Sequence, residues 1–270
     1  MNISEELIAK SLNTAFLAGE AIMDVYNQAF TVELKTDNSP LTLADKRAHE
    51  IIVEGLKETG LPILSEEGSQ ISYETRKNWT NYWLVDPLDG TKEFINKNGE
   101  FTVNIALISN KEPIFGVVYA PVPGFIYWGS PTGSFRLDLR KLEEIDLLNF
   151  NSFQSLAEKL PINSNHQGFV VLGSKSHMNF ETELFIKQLE GIHPDLSFIS
   201  KGSSLKFCTL AEGAADVYPR FGSTMEWDTA AGHAVALFAG FFVNQVENGL
   251  PLLYNKPSLL NPFFIAGNKK

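Results

Sequence analysis

The sequence predicts a mixed α/β fold of the α+β kind. Three observations predict it: apolar stripes at helical spacing before Leu61, short apolar runs bounded by polar turns after it, and a helix of small residues near the C-terminus. With 44% hydrophobic and 20% charged residues among 270, the chain can bury a sizeable core.

Taken in order, residues 4–28 place Leu7, Ile8, Leu12, Ala15, Phe16, Gly19, Ile22 and Tyr26 three or four apart, which predicts an amphipathic helix. An extended piece around Thr31 to Lys35 and the turn-prone Asp37-Asn38-Ser39-Pro40 lead to a second helix, carried by Ala44, Ala48, Ile51, Ile52 and Leu56. PILSEEG (62–68), YWLVDPLDG (82–90), FTVNIALIS (101–109), PIFGVVYAPV (113–122) and FIYWGS (125–130) read as strands. GFVVLGSKSH (168–177) reads as a buried strand ending in a polar loop, and residues 204–219 as a helix running into a strand. TAAGHAVALFAG (229–240) is a closely packed helix. The least regular stretch, about 138–166, is polar; the seam placed there divides a subdomain 1–140 from a subdomain 141–270.

Lys and Arg number 22 against 32 Asp and Glu, a net charge of −10 that argues against a nucleic-acid polymer as partner. An anionic substrate would need local cations, and bound metal ions are the simplest source. Cys208 is the one cysteine, so no intrachain disulfide forms; its apolar helical setting reads as a buried, inert thiol. The N-terminus lacks the basic and apolar regions of a signal peptide, and no run of about 18 apolar residues predicts a membrane span. The expected location is cytoplasmic; peripheral association with the cytoplasmic face of the inner membrane, and oligomeric state, stay open.

WLVDPLDGTKEF, residues 83–94, carries the chemistry. An apolar strand runs into Asp86, Pro87 forces an extended turn, and Asp89 and Gly90 complete a bend before Thr91. Two carboxylates at such a bend can converge, with the Leu88 carbonyl between them, and hard divalent cations take oxygen ligands of this kind. Glu66 and Glu67 end another predicted strand, and Asp228 begins the small-residue helix. Each acid has an ordinary explanation by itself, as turn former, solvated strand end or helix cap. Together they set acids at the ends of three elements, as a site built at loop ends requires.

DPLDGTKEF and WDTAAGHAVALFAG resemble the paired signature of the inositol monophosphatase superfamily of lithium-sensitive, magnesium-dependent phosphatases, and the resemblance covers nearly the whole chain. SPLTLAD, LSEEG, GEFTVNIAL, GVVYAPV, KGSSLKFC and YPRFG are similar to its bisphosphate nucleotidases. One departure is Ala239-Gly240-Phe241, where many relatives carry paired glycines. The resemblance implies a layered αβαβα sandwich of two subdomains with a metal site in the cleft between them. It implies that Glu66, preferred over Glu67, together with Asp86, the Leu88 carbonyl, Asp89 and Asp228, binds two or three Mg2+ ions. It assigns Thr91 and Asp45 to the attacking water, although Asp45 alone reads as a helix-surface acid. Glu66, Leu88, Asp89, Gly90, Thr91 and Asp228 would surround the reacting phosphate. His177, Ser203, Lys206 and Arg220 would contact the ribose, base or second phosphate.

The implied activity is hydrolysis of adenosine 3',5'-bisphosphate to AMP and phosphate, a recycling step linked to sulfate assimilation. The alternative keeps the metal chemistry but acts on inositol monophosphate or fructose 1,6-bisphosphate. A third reading, an acidic cluster that only binds metal or a partner protein, leaves the Asp45–Thr91 pair without a purpose.

Overall fold

The computed structural model describes residues 3–29, 32–34, 40–142, 146–162, 166–174 and 178–268. Helix α1 (Glu5–Tyr26) starts where the Ser4 hydroxyl accepts from Leu7 N at 3.1 Å, and its stripe buries Ile8, Leu12, Ala15 and Ile22. A short antiparallel pair, β1 (Val32–Leu34) and β2 (Pro40–Thr42), delivers the chain to α2 (Leu43–Leu56).

Helices α1 and α2 cover one face of a seven-stranded sheet. Its strands are β3 (Ile63–Ser65), β4 (Asn81–Asp89), β5 (Thr102–Ser109), β6 (Glu112–Ala120), β7 (Phe125–Ser130), β8 (Gly133–Asp138) and β9 (Glu158–Lys159), paired in chain order. Two short helices interrupt them, α3 (Tyr73–Arg76) before β4 and α4 (Thr91–Ile95) after it, and α5 (Phe150–Gln154) precedes β9. Both faces are buried, so alternate residues feed two cores: Trp83, Val85, Val103, Ile105 and Val117 meet α1 and α2, while Tyr82, Leu84, Ala106 and Val118 face the other way.

The second core lies between this sheet and a five-stranded one. Its strands are β10 (Val170–Gly173), β11 (Ser197–Ser200), β12 (Val217–Arg220), β13 (Phe241–Gln245) and β14 (Phe264–Asn268), in the order β11-β10-β12-β14-β13. Helix α6 (Phe180–Glu190) lies against β12, while α7 (Leu205–Ala211) and α8 (Glu226–Phe238) fill the space between the sheets. The layers therefore run αβαβα. Glycines of the sheet admit α8 at close range: a Cβ on Gly116 of β6 or Gly129 of β7 would come within 2.6 Å of a helix carbonyl, of Ala231 or Ala234 respectively. At the helix end only Gly240 takes a left-handed φ, +100°, while Ala239 stays helical, so the departure from paired glycines strains nothing.

The predicted helices and strands before residue 130 are present. The sequence reading does not anticipate β2, α3, α4, β8, α6, β11, β13 or β14, and the stretch 138–166 holds α5 and β9. Thr182 is the one buried side chain of α6; Phe185, Ile186 and Leu189 stand at helical spacing from it but are only half-buried, so the stripe is weak. Among the described residues no helix is long and apolar enough to cross a membrane.

Candidate active site

Strand pairing explains why Glu66 meets Asp86. β3 runs parallel to β4 with Ser65 opposite Val85, and Glu66 N donates to Val85 O at 3.1 Å, so the residue after β3 lands beside the residue after Val85. Ser65 Oγ is bonded to His49 Nδ1 on α2 at 2.9 Å, which steadies the turn.

Asp86 and Asp89 are three apart, and in a regular strand their side chains would leave opposite faces. The ladder corrects this. Asp86 pairs with Asn104 and Asp89 with Thr102, two residues of β5 against three steps of β4, and this bulge returns both carboxylates to one side. Pro87, which has no N–H to give a ladder, sits in the bulge. Leu88 N donates to Asp86 Oδ1 at 3.1 Å. Gly90 follows at φ +92°, where a Cβ would lie 2.2 Å from Ser203 Oγ, so the turn needs glycine on both counts.

Thr91 Oγ1 lies 3.3 Å from Asp45 Oδ1 and 3.4 Å from Leu88 O. Asp45 is 1% exposed, not the surface acid its helical position implies. Its Oδ2 accepts from Thr42 N and Thr42 Oγ1, both at 2.7 Å, in a capping box that fixes the carboxylate. Thr42 with an acid three residues on is a signal the sequence carries.

Asp228 is the third residue of α8, not its cap, and its Oδ2 accepts from Met225 N at 2.8 Å. The turn that carries it is held by Glu226, fully buried, which accepts from Asn255 N, Lys256 N and Lys256 Nζ at 2.7–2.9 Å. Asn261 donates to Met225 O at 2.7 Å from the other side.

The result is a group in which Glu66, Asp86 and Asp228 each present an oxygen within 4.8 Å of the others. Glu67 is outside it. Asp89 lines the same cleft but turns Oδ2 to Ser204 N at 2.7 Å and Asn104 Nδ2 at 3.3 Å. Burial first, then the charges of Glu66, Asp89 and Asp228, hold the Asp86 carboxyl well above the ordinary range. Burial and the neighbouring Asp89 push Asp228 up to about 8. Asp89 is raised by burial, against the opposing pull of Lys206 and Ser204. Oxygen donors that repel one another in a buried cleft are the donor set a hard divalent cation stabilises, so the residues fit a metal site.

Gly90, Thr91, Ser203, Lys206 and Arg220 line this cleft too. Ser203 takes a left-handed φ of 46°, and its hydroxyl lies 2.9 and 2.7 Å from the carbonyls of Asp89 and Glu100. Lys206 is buried, which lowers its ammonium to about 8, and Nζ donates to Ser203 O at 2.8 Å. Arg220 donates from Nη2 to Ser223 O at 3.1 Å, while its buried Nε has no hydrogen-bond partner among the described residues. His177 lies outside the described residues. Cys208 is 1% exposed and its thiol is raised by burial, in keeping with an inert side chain. Asn104 and Ser204 escape a motif reading; an asparagine inside an apolar strand is the signal, since a buried amide needs partners.

A layered αβαβα sandwich with clustered carboxylates at the strand and helix ends defines a class. The model of the inositol monophosphatase family matches residues 4–268, and the chain belongs to that family. Within it, the chain is 46% identical to 3'(2'),5'-bisphosphate nucleotidase CysQ of Escherichia coli strain K12 over 252 residues, covering 92% of this chain and 94% of that protein. It is 42% identical to the CysQ of Buchnera aphidicola, covering 98% and 95%. The crystal structure of CysQ from Bacteroides thetaiotaomicron superposes with a TM-score of 0.87 at 46% identity, covering 97% of this chain and 96% of that one.

Proposed function

We propose that the chain is a magnesium-dependent 3'(2'),5'-bisphosphate nucleotidase that hydrolyses adenosine 3',5'-bisphosphate to AMP and phosphate. One observation carries the reading: the cleft that gathers the carboxylates also holds Lys206 and Arg220, so metal-binding acids and phosphate-binding cations share one cavity. The CysQ relatives, nucleotidases by name, support it. Nucleotide recycling in the cytoplasm, linked to sulfate assimilation, belongs to the same reading.

Glu66, Asp86, Asp228, Asp89 and the Leu88 carbonyl would hold two or three Mg2+ ions. When bound, such ions neutralise the phosphate dianion and acidify a water molecule, which is the chemistry a phosphomonoester needs. The chain's own part is orientation and proton transfer. Thr42 pins one Asp45 oxygen, and the other, Oδ1, accepts the Thr91 proton. The Thr91 oxygen then turns a lone pair towards the cleft, accepts a proton from the attacking water, and passes its own to Asp45 Oδ1. The water oxygen bonds to phosphorus as the bond from phosphorus to the ribose oxygen breaks, the ribose oxygen takes a proton from solvent to leave as the hydroxyl of AMP, and Lys206 and Arg220 hold the phosphate that stays.

Phosphate release with purified protein, with and without Mg2+, is the test across adenosine 3',5'-bisphosphate, inositol monophosphate and fructose 1,6-bisphosphate. The nucleotide is expected to be preferred; a tenfold preference for inositol monophosphate would remove the nucleotide reading. Arg220→Met is expected to raise KM for the bisphosphate by about tenfold to a hundredfold, the worth of a charge-assisted contact. KM for a monophosphate ester should move less than threefold; equal changes for both would detach Arg220 from the second phosphate.

A further inference from the structure

Asp89 and Asp228 reach the cleft from different layers, Asp89 from the end of a strand in the seven-stranded sheet and Asp228 from the first turn of α8. Packing of α8 on β4 and β5 brings the two turns together, and a direct hydrogen-bonded link would set their register more finely. Asn104 and Ser204 make one. Asn104 Nδ2 donates to Asp89 Oδ2 at 3.3 Å and to Ser204 Oγ at 2.9 Å. Ser204 N donates to the same Asp89 oxygen at 2.7 Å, and its hydroxyl donates to the Asp228 carbonyl at 3.0 Å.

Orientation in this chain of bonds is determined. Thr102 Oγ1 donates to Asn104 Oδ1 at 3.2 Å, so the amide oxygen is occupied and both amide protons point to Asp89 and Ser204. Thr102 and Asn104 are the β5 residues opposite Asp89 and Asp86 across the bulge, so they stand beneath the two aspartates. Thr102, Asn104 and Ser204 are each at most 2% exposed, which leaves water no route to replace their bonds. All the donors are neutral. They orient carboxylates without adding a positive charge that would compete with a cation.

We propose that Asn104 and Ser204 are positioning residues that hold Asp89 and the Asp228 turn in one register, so that the acids of the two layers form a single metal site. This rests on the metal-binding reading above. Outer partners of this kind typically change metal affinity by about 10- to 100-fold when removed, and residues acting as one unit are not additive. Calorimetric titration of the purified full chain with Mg2+ alone tests it, with substrate absent. Asn104→Leu and Ser204→Ala are each expected to weaken Mg2+ binding about tenfold or more, and the double variant by much less than the product. Ser204→Thr, which keeps the hydroxyl, is expected to bind within threefold of the unaltered protein; this separates the hydroxyl's role from general packing. If Asn104→Leu fails to fold, the Ser204→Ala and Ser204→Thr pair decides alone. Unaltered protein that binds Mg2+ alongside variants that bind within twofold of it would overturn this proposal only. Unaltered protein that binds none would overturn it together with the metal-binding reading.

Discussion

Asp86→Asn is expected to lower kcat by about a thousandfold or more, roughly 4 kcal/mol in the barrier, with the fold intact. Asparagine has nearly the same shape, and its carbonyl can still accept from Leu88 N as Asp86 Oδ1 does. What it removes is the charge at the centre of the carboxylate group, from a residue only 2% exposed. The same change has the opposite effect on the metal-free fold. Asp86 is held above its ordinary pKa by burial and its acidic neighbours, which means its ionised form costs stability that asparagine does not. Thermal unfolding in EDTA at pH 7.5 should therefore show the variant at least as stable as the unaltered protein. Retention of more than about a tenth of the activity, a loss below ~1.4 kcal/mol, would contradict the role given to Asp86.

Thr91→Val keeps the volume of the side chain and deletes the hydroxyl between Asp45 and the cleft. A fall in kcat of about 10²- to 10⁴-fold is expected, the range of a general acid–base contribution, with Mg2+ affinity and KM within a few-fold. Asp45→Asn should fall in the same range: its amide oxygen can still accept from Thr42 in the capping box of α2, but the side chain can no longer take up the Thr91 proton. A Thr91→Val variant whose whole loss lay in KM or in Mg2+ affinity would take the water-handling role away from this pair.

How far the site could be read in the sequence follows from what kind of signal each residue leaves. The helix stripes and the apolar strands before residue 130 were legible because burial imposes a period. Asp86 and Asp89 were legible as a pair because a proline and a glycine bracket them. The bulge that makes them face the same way was not, since it exists only in the register with β5. Strands β13 and β14 carry only brief patterns, with Phe241 and Val243 or Phe264 and Ala266 buried in alternation, α6 buries Thr182 alone, and β11 buries none. Asp45 reads as a surface acid until Thr42 and Thr91 close on it, and Asn104 and Ser204 act only across layers of the fold. The sequence can flag such a residue, by a threonine three residues before Asp45 or by the polar Asn104 in an apolar strand, but the distant partner leaves no local trace.

Gathering acids from separate layers at one point carries everything else, and calorimetric titration with Mg2+ tests it most directly. Asp86, Asp89 and Asp228 hold raised pKa values while no cation is bound, Asp228 near 8. With folded-state values above the unfolded ones, these groups favour the metal-free fold at low pH and oppose it increasingly as pH rises towards 8. Cation binding must then drive protons off, so Mg2+ affinity is expected to rise from pH 6 to pH 8. Titration in two buffers of different ionisation enthalpy should show protons released, and Asp86→Asn should abolish the binding. No binding at millimolar Mg2+, or binding that is independent of pH and unchanged in Asp86→Asn, would contradict the account.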